Sequence, residues 1–277
     1  MAVKRNIFCH TEYSTLQKVV LCEPTYMSIN DPNHKVFKNV SINIDLAIKQ
    51  HKHFVSALES HGVDVILLPP DKKFPDQVFT RDIGFTIGDT IYVTEIQTYH
   101  RQNEETLLKQ RLDLENIPFQ QLIGCNIEGG DVIIDRETVY VGISTRTDMQ
   151  AVNHMQEILP HHEVIPVPFN DEFLHLDYVF NILSSKEALI CSSEVKSEQV
   201  KLLKSRYDLI EMTKEELLTH SANVLSIGNN KVFSMPINKN VNKKLLSRGY
   251  KVVEVDISEI TKSGGAFRCC TLPISRS

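Results

Sequence analysis

Asp82-Ile-Gly-Phe-Thr-Ile-Gly-Asp-Thr-Ile-Tyr-Val93 is an acidic residue followed by an apolar run, a Gly-Asp turn and a second apolar run. That pattern predicts a β-hairpin. It returns at Glu128, which opens GGDVIIDRETVYVG, at His175, which opens LDYVFNILSSKEALIC, and at Asn223, which opens VLSIGNNKVFSM. A truncated copy starts at Cys269, which opens CTLPIS. The five starting residues stand 46, 47, 48 and 46 positions apart, and a fixed period of this size marks a repeat architecture. Asp-Arg-Glu-Thr, Ser-Ser-Lys-Glu and Gly-Asn-Asn-Lys supply the other turns.

Outward from the hairpins, helical spacing runs over 48–60, 103–113, 148–158, 194–206 and 239–248, each followed by one more strand. Phe54, Val55 and Leu58, or Leu202, Leu203 and Tyr207, recur at three- and four-residue steps, as a one-sided amphipathic helix requires. The unit is therefore strand–strand–helix–strand. No linker separates the units, so the expectation is one domain over 1–277. Five units that each expose an apolar face must stack, and radial closure removes the edges a linear array would leave. The fifth unit stops one hairpin strand short, whereas Lys18-Val-Val-Leu-Cys-Glu23 has no hairpin partner of its own. Pairing the two ends closes the ring, and the expected fold is α/β: a five-fold pseudosymmetric α/β propeller. All-β propellers share periods of ~40–50 residues, but the helix in every unit and the absence of tryptophan separate this chain from them.

The 277 residues are 42% hydrophobic and 23% charged, an ordinary globular profile, and the net charge of −5 comes with no basic run fit to track a phosphate backbone. Nucleic acid is not an expected partner. The N-terminus turns polar before a signal core develops, no long apolar stretch suits a membrane, and six cysteines lack any C-x-x-C pair. A cytoplasmic protein away from membranes is expected, with its oligomeric state left open and a homo-oligomer possible. His51, His53, His161 and His162 read as solvated helix or loop residues, and no metal or cofactor is assigned.

Rotation would bring Asp82, Glu128, His175, Asn223 and Cys269 together at the centre, with Asp131 and Asp177 flanking them. Asp177 follows His175 by two and is expected on the same face of its strand. Singly, each has a structural explanation: a turn acid, a hairpin entry, a core histidine, a small buried thiol. Their shared phase is what independent structural causes would not produce. A thiol, an imidazole and carboxylates around one centre suit nucleophilic attack on a planar cationic carbon, and carboxylates accept a guanidinium's N–H fork. The reading requires these groups to converge and the sulfur to reach a cavity.

Phe79-Thr-Arg-Asp82, Glu128-Gly-Gly-Asp131, Gly142-Ile-Ser-Thr-Arg146-Thr147, His175-Leu-Asp177, Ala222-Asn-Val-Leu225 and Gly264-Gly-Ala-Phe-Arg-Cys-Cys-Thr271 together resemble the guanidino-group-modifying, or pentein, superfamily of arginine deiminases, dimethylarginine dimethylaminohydrolases and amidinotransferases. The resemblance spans nearly the whole chain. It implies Cys269 as nucleophile, His175 as general acid/base, and Glu128, Asp82 and Asp177 as guanidinium ligands. Arg146 matches the arginine that grips a substrate carboxylate and Arg101 a second clamp, with Phe79 and Asn223 as further substrate contacts; Cys270 is assigned to packing. The implied substrate is a small guanidino compound. An acid at Asp177 favours an unsubstituted guanidinium, since methylated nitrogens lose hydrogen bonds there. Hydrolysis of arginine or a close derivative is thus the expected activity. The alternatives are methylarginine hydrolysis, amidinotransfer, or a guanidino-metabolite binder without turnover.

Overall fold

The computed structural model describes residues 7–29 and 41–277, so residues 1–6 of the N-terminal stretch lie outside the described residues. Fifteen strands and seven α-helices follow one another among them. The first hairpin unit is β3 (Gly84–Ile87) and β4 (Thr90–Val93), joined by α2 (Glu105–Leu114) to β5 (Phe119–Gln121). β3 and β4 pair antiparallel and β5 runs parallel to β4, because a helical crossover returns the chain in the same direction. The pattern repeats in β6 (Val132–Asp135), β7 (Thr138–Ile143), α3 (Met149–Ile158) and β8 (Glu163–Pro168). It repeats again in β9 (Phe180–Ile182), β10 (Glu187–Ile190), α4 (Ser197–Arg206) and β11 (Asp208–Glu211). A fourth copy comprises β12 (Leu225–Ser226), β13 (Lys231–Ser234), α6 (Lys239–Ser247) and β14 (Lys251–Glu254), preceded by α5 (Lys214–Leu217).

The fifth sheet joins the two ends of the chain. β15 (Leu272–Arg276) lies antiparallel to β1 (Leu16–Cys22), with Val19 opposite Pro273 and Val20 opposite Leu272. β1 is then joined through α1 (Ile44–Ser60) to the parallel strand β2 (Asp64–Leu68). Thr15 and Ser277 exchange two backbone hydrogen bonds of 2.9 Å. The molecule is thus an α/β protein of five three-stranded sheets, and the pairing of its ends is as the sequence predicts.

Burial grades outward across each sheet. Every residue of β3 and β6 is buried, whereas β2 and β8 alternate with exposed positions, so the continuous apolar runs are inner strands and the alternating runs outer ones. Phe54 of α1 packs edge-on to Phe233 (5.6 Å) and Phe267 (5.1 Å), which ties that helix to the turn before β15.

Several expectations shift. α1 starts four residues earlier than the pattern indicates, because the Asn43 side chain accepts from Leu46 N and caps the helix there. Residues 192–194 form a 3-10 turn, so α4 begins at Ser197. α5 and α7 (Ser258–Thr261) are single turns too short for periodicity to reveal; a Thr213–Glu216 capping box builds the former. His51 is buried rather than solvated, since it shares the face of α1 that carries Ala47, Phe54 and Leu58, and burial holds its pKa down at about 4. No helix among the described residues is long and apolar enough to cross a membrane.

Candidate active site

The turns that precede the inner strands converge, and each supplies at least one group. Asp82 sits two residues before β3, and its carbonyl accepts from Gly129 N (3.1 Å), which stitches its turn to the Glu128 turn. Gly130 has no room for a side chain, since a Cβ there would lie 2.6 Å from the His175 ring. Residues 176–178 form a 3-10 turn and not a strand, so Asp177 reaches the centre by the curl of that turn rather than by strand alternation. Cys269 and Cys270 likewise lie on a turn before β15; Cys270 is fully buried in the apolar core around Phe54 and Phe267.

His175 is the hub of the acidic side. Its Nε2 lies 2.7 Å from Glu128 Oε2 and its Nδ1 3.7 Å from Asp82 Oδ1. Burial disfavours the imidazolium, but Asp82, the Glu128 hydrogen bond and Asp131 outweigh it and lift the pKa to about 9. Burial also works against the Glu128 charge, yet the His175 hydrogen bond and Arg146 hold that carboxyl well below the usual range. Asp82 moves the other way, raised by burial against the pull of His175 and Arg101. Asp131 accepts from Ser144 Oγ and Leu176 N, each at 2.8 Å, and so braces the turns instead of facing a ligand.

Cys269 is framed by Asn223 and Asp177. Asn223 Nδ2 donates to Sγ (3.1 Å), and Asn223 Oδ1 accepts from Cys269 N (3.1 Å) and Ala266 N (3.2 Å). The sulfur lies 3.8 Å and 3.9 Å from the two Asp177 oxygens. Burial first, then Asp177, Asp82 and Cys270, push the thiol well above its ordinary range, as a sulfur among carboxylates requires.

Two expected substrate contacts are already engaged. Asn223 is fully buried and its amide is spent on the Cys269 turn, so it positions the sulfur. Arg101 donates from Nη1 to Asp82 Oδ2 (2.6 Å) and from Nε and Nη2 to Glu104, so this guanidinium serves the aspartate rather than standing open as a clamp. Arg146 reaches Glu128 at 3.4 Å and, with Phe79, Arg101, His175 and Gly264, lines a cleft above the site. Cys269 does not line that cleft: it is 3% exposed, and Phe79 and Cys269 meet at Gly265. The expectation that the sulfur reaches a cavity is thus not met at this cleft, and Gly265 packs against both Phe79 and Cys269. Ligand atoms of Asp82, Glu128 and His175 lie within 4.8 Å of one another, close enough for a metal ion. Two arginines already neutralise these carboxylates, an arrangement that suits an organic cation better than a divalent one.

The chain matches, over residues 19–276, the family model described as N,N dimethylarginine dimethylhydrolase, eukaryotic. It belongs to that family. Through it, the chain is a member of the guanidino-group-modifying superfamily, which holds both hydrolases and amidinotransferases. It is 47% identical over 271 residues to the protein YkgA of Bacillus subtilis, covering 97% of this chain and 95% of YkgA. It is 28% identical over 230 residues to the N(G),N(G)-dimethylarginine dimethylaminohydrolase of Pseudomonas aeruginosa, covering 82% of this chain and 87% of the relative. Among solved structures, the product-bound N-terminal domain of ArgZ, a cyanobacterial arginine dihydrolase, superposes with a TM-score of 0.84 at 24% identity, covering 94% of this chain and 97% of that domain. This last likeness speaks to the fold.

Sequence reasoning about the family motifs missed three side chains. Arg268 sat inside a quoted motif without a role, Glu104 lay at the start of a helical stretch, and Glu12, which lies 3.0 Å from Arg268, precedes the first repeat and carries no periodic signal.

Proposed function

We propose that the chain hydrolyses the guanidino group of arginine or a close derivative through a covalent thiouronium on Cys269, acting as one catalytic domain whose five sheets close into a propeller ring. The observation that carries this is the meeting of Cys269, His175, Asp82, Glu128 and Asp177 from four of the repeats, with the sulfur 3.8 Å from one carboxylate. Before substrate binds, the thiol is neutral and His175 protonated. A guanidinium held by Asp82, Asp177 and Glu128 brings positive charge beside the sulfur and lowers the thiol pKa, so that the thiol proton leaves to solvent and the thiolate adds to the guanidinium carbon. The His175 imidazolium donates its proton to the departing nitrogen, which leaves as an amine. The neutral imidazole then takes a proton from water, the resulting hydroxide equivalent attacks the thiouronium carbon, and collapse expels the thiolate and a protonated ureido product, whose extra proton restores the thiol. Arg146, at the cleft wall, meets the substrate carboxylate, and Phe79 packs beside it. Six free cysteines fit the reducing cytoplasm.

The family match favours a second reading, hydrolysis of dimethylarginine; against it stands the acid at Asp177, which a methylated nitrogen would crowd. The test is incubation with arginine or Nω,Nω-dimethylarginine, a colour reaction for ureido product, and detection of ammonia or dimethylamine. Citrulline with ammonia supports the proposal, dimethylamine the second reading. Ornithine released only when an acceptor amine is present would replace hydrolysis by amidinotransfer. Product from a Cys269→Ala chain would overturn the covalent route.

A further inference from the structure

The two aspartates beside Cys269 are built alike. Asp82 Oδ2 accepts from Arg101 Nη1 at 2.6 Å, while Asp82 Oδ1 is buried with no hydrogen-bond partner among the described residues and stands 3.7 Å from His175 Nδ1, beyond hydrogen-bond distance. Asp177 Oδ2 accepts from Arg268 Nη1 at 2.7 Å, and among the described residues the one hydrogen-bonding contact of Asp177 Oδ1 is the Cys269 sulfur, 3.9 Å away. Each arginine is in turn anchored by a buried glutamate. Glu104 takes Arg101 Nε at 3.2 and 3.1 Å and Nη2 at 2.8 Å. Glu12 Oε1 takes Arg268 Nη2 at 3.0 Å, and Val132 O takes the same nitrogen at 2.8 Å. All six residues are buried.

A buried carboxylate oxygen without a donor is costly and rare, so its retention calls for a ligand that supplies one. Pinning one oxygen of a carboxylate fixes where the other points. Both spare oxygens belong to aspartates close enough to Cys269 for their charges to act on its thiol. A guanidinium with its carbon over the sulfur offers N–H groups from two terminal nitrogens, one for each oxygen. We propose that Glu104–Arg101 and Glu12–Arg268 are paired positioning relays that aim one oxygen of Asp82 and one of Asp177 at the two terminal nitrogens, and so set the preference for an unsubstituted guanidinium. Neither glutamate touches substrate. The inference rests on the guanidinium reading of the site, though not on its turnover.

The experiment measures binding of arginine and of Nω,Nω-dimethylarginine, which has no N–H on one terminal nitrogen, to the full chain carrying Cys269→Ala, by calorimetry. Glu104→Gln, Glu12→Gln and Arg268→Lys are then added singly. Arginine is expected to bind the parent more tightly, and each glutamine variant to narrow the ratio of the two dissociation constants by ~10-fold, the scale of one charge-assisted hydrogen bond. Arg268→Lys, which keeps the charge but not the two-pronged donor, should narrow the ratio less. A merely structural role would weaken both ligands by one factor. If Glu12→Gln does not fold, Glu104→Gln alone carries the test, since its relay is separate. An unchanged ratio in the folded variants, or a parent that prefers the dimethylated ligand, overturns the relays. A parent that binds neither ligand removes the guanidinium reading and the relays together. Selective binding beside a Cys269-intact chain that yields no ureido product leaves the relays standing and removes only hydrolysis.

Discussion

Replacing Asp177 by Asn should make Cys269 a better nucleophile in the empty protein even as it harms catalysis. The sulfur lies 3.8 Å from the Asp177 carboxylate, and two like charges at that distance repel by ~4 kcal/mol at an effective dielectric near 20. Converted at about 1.4 kcal/mol per pH unit, removing that repulsion lowers the thiol pKa by up to ~3. The Arg268 charge, then freed from Asp177, acts in the same direction. The assay is the pH profile of iodoacetamide alkylation of Cys269 followed by peptide mass mapping, with Cys269→Ala as control for the other thiols. Because Cys269 is buried, reagent must first gain access, but a pH-independent opening step scales the rate at every pH and leaves the midpoint alone. The midpoint should fall by ~2–3 pH units in Asp177→Asn, and a simple alkylguanidinium bound to the wild type should shift it the same way. A midpoint that stays put or rises in Asp177→Asn refutes the electrostatic account of the thiol.

Three further outcomes are expected. Because the folded His175 pKa stands near 9 against an ordinary value of 6.5, the stabilisation from its imidazolium is complete below ~6.5 and vanishes as pH rises through ~9. Wild type should therefore lose ~3 kcal/mol more than His175→Gln between pH 6 and pH 9.5 in urea unfolding, and parallel curves would contradict it. At Gly265 a Cβ would lie 2.5 Å from Phe79 Cε1 and 2.9 Å from Cys269 Cβ. Gly265→Ala should cost ~1–3 kcal/mol of unfolding free energy and displace the sulfur, with kcat reduced more than stability explains. Deleting residues 273–277 removes most of β15, the antiparallel partner of β1; the truncated chain should lose its cooperative thermal transition, which calorimetry would detect.

The repeat was legible because period-two and helical patterns alternate with turn residues at a near-constant spacing, and the pairing of the two chain ends was legible because the fifth unit lacked a strand that the N-terminus offered. The convergence of Asp82, Glu128, His175, Asn223 and Cys269 followed from phase alone. What phase could not supply was direction. Asp177 was expected on a strand face, yet the 176–178 turn delivers it; two residues along a strand and two along a 3-10 turn are indistinguishable in sequence. Arg101 looked like an open clamp because a charged residue's partner lies in the third dimension, here Asp82, nineteen positions away.

The same limit explains why Glu12 stayed hidden. It lies outside the repeat, 256 positions from Arg268, and a lone glutamate before a strand has nothing in its surroundings to mark it as buried. Closing the ends, however, brings residues 7–15 alongside β15: Phe8 N bonds Ile274 O, and Arg276 N bonds Phe8 O. The strand that completes the fifth sheet therefore also delivers Glu12 to Arg268 and, through it, to Asp177. Topology and site chemistry are thus linked at one seam. A substitution that loosens β1 from β15 without unfolding the chain would free Asp177 to turn its second oxygen away from the sulfur, and it would show in ligand discrimination before it showed in melting.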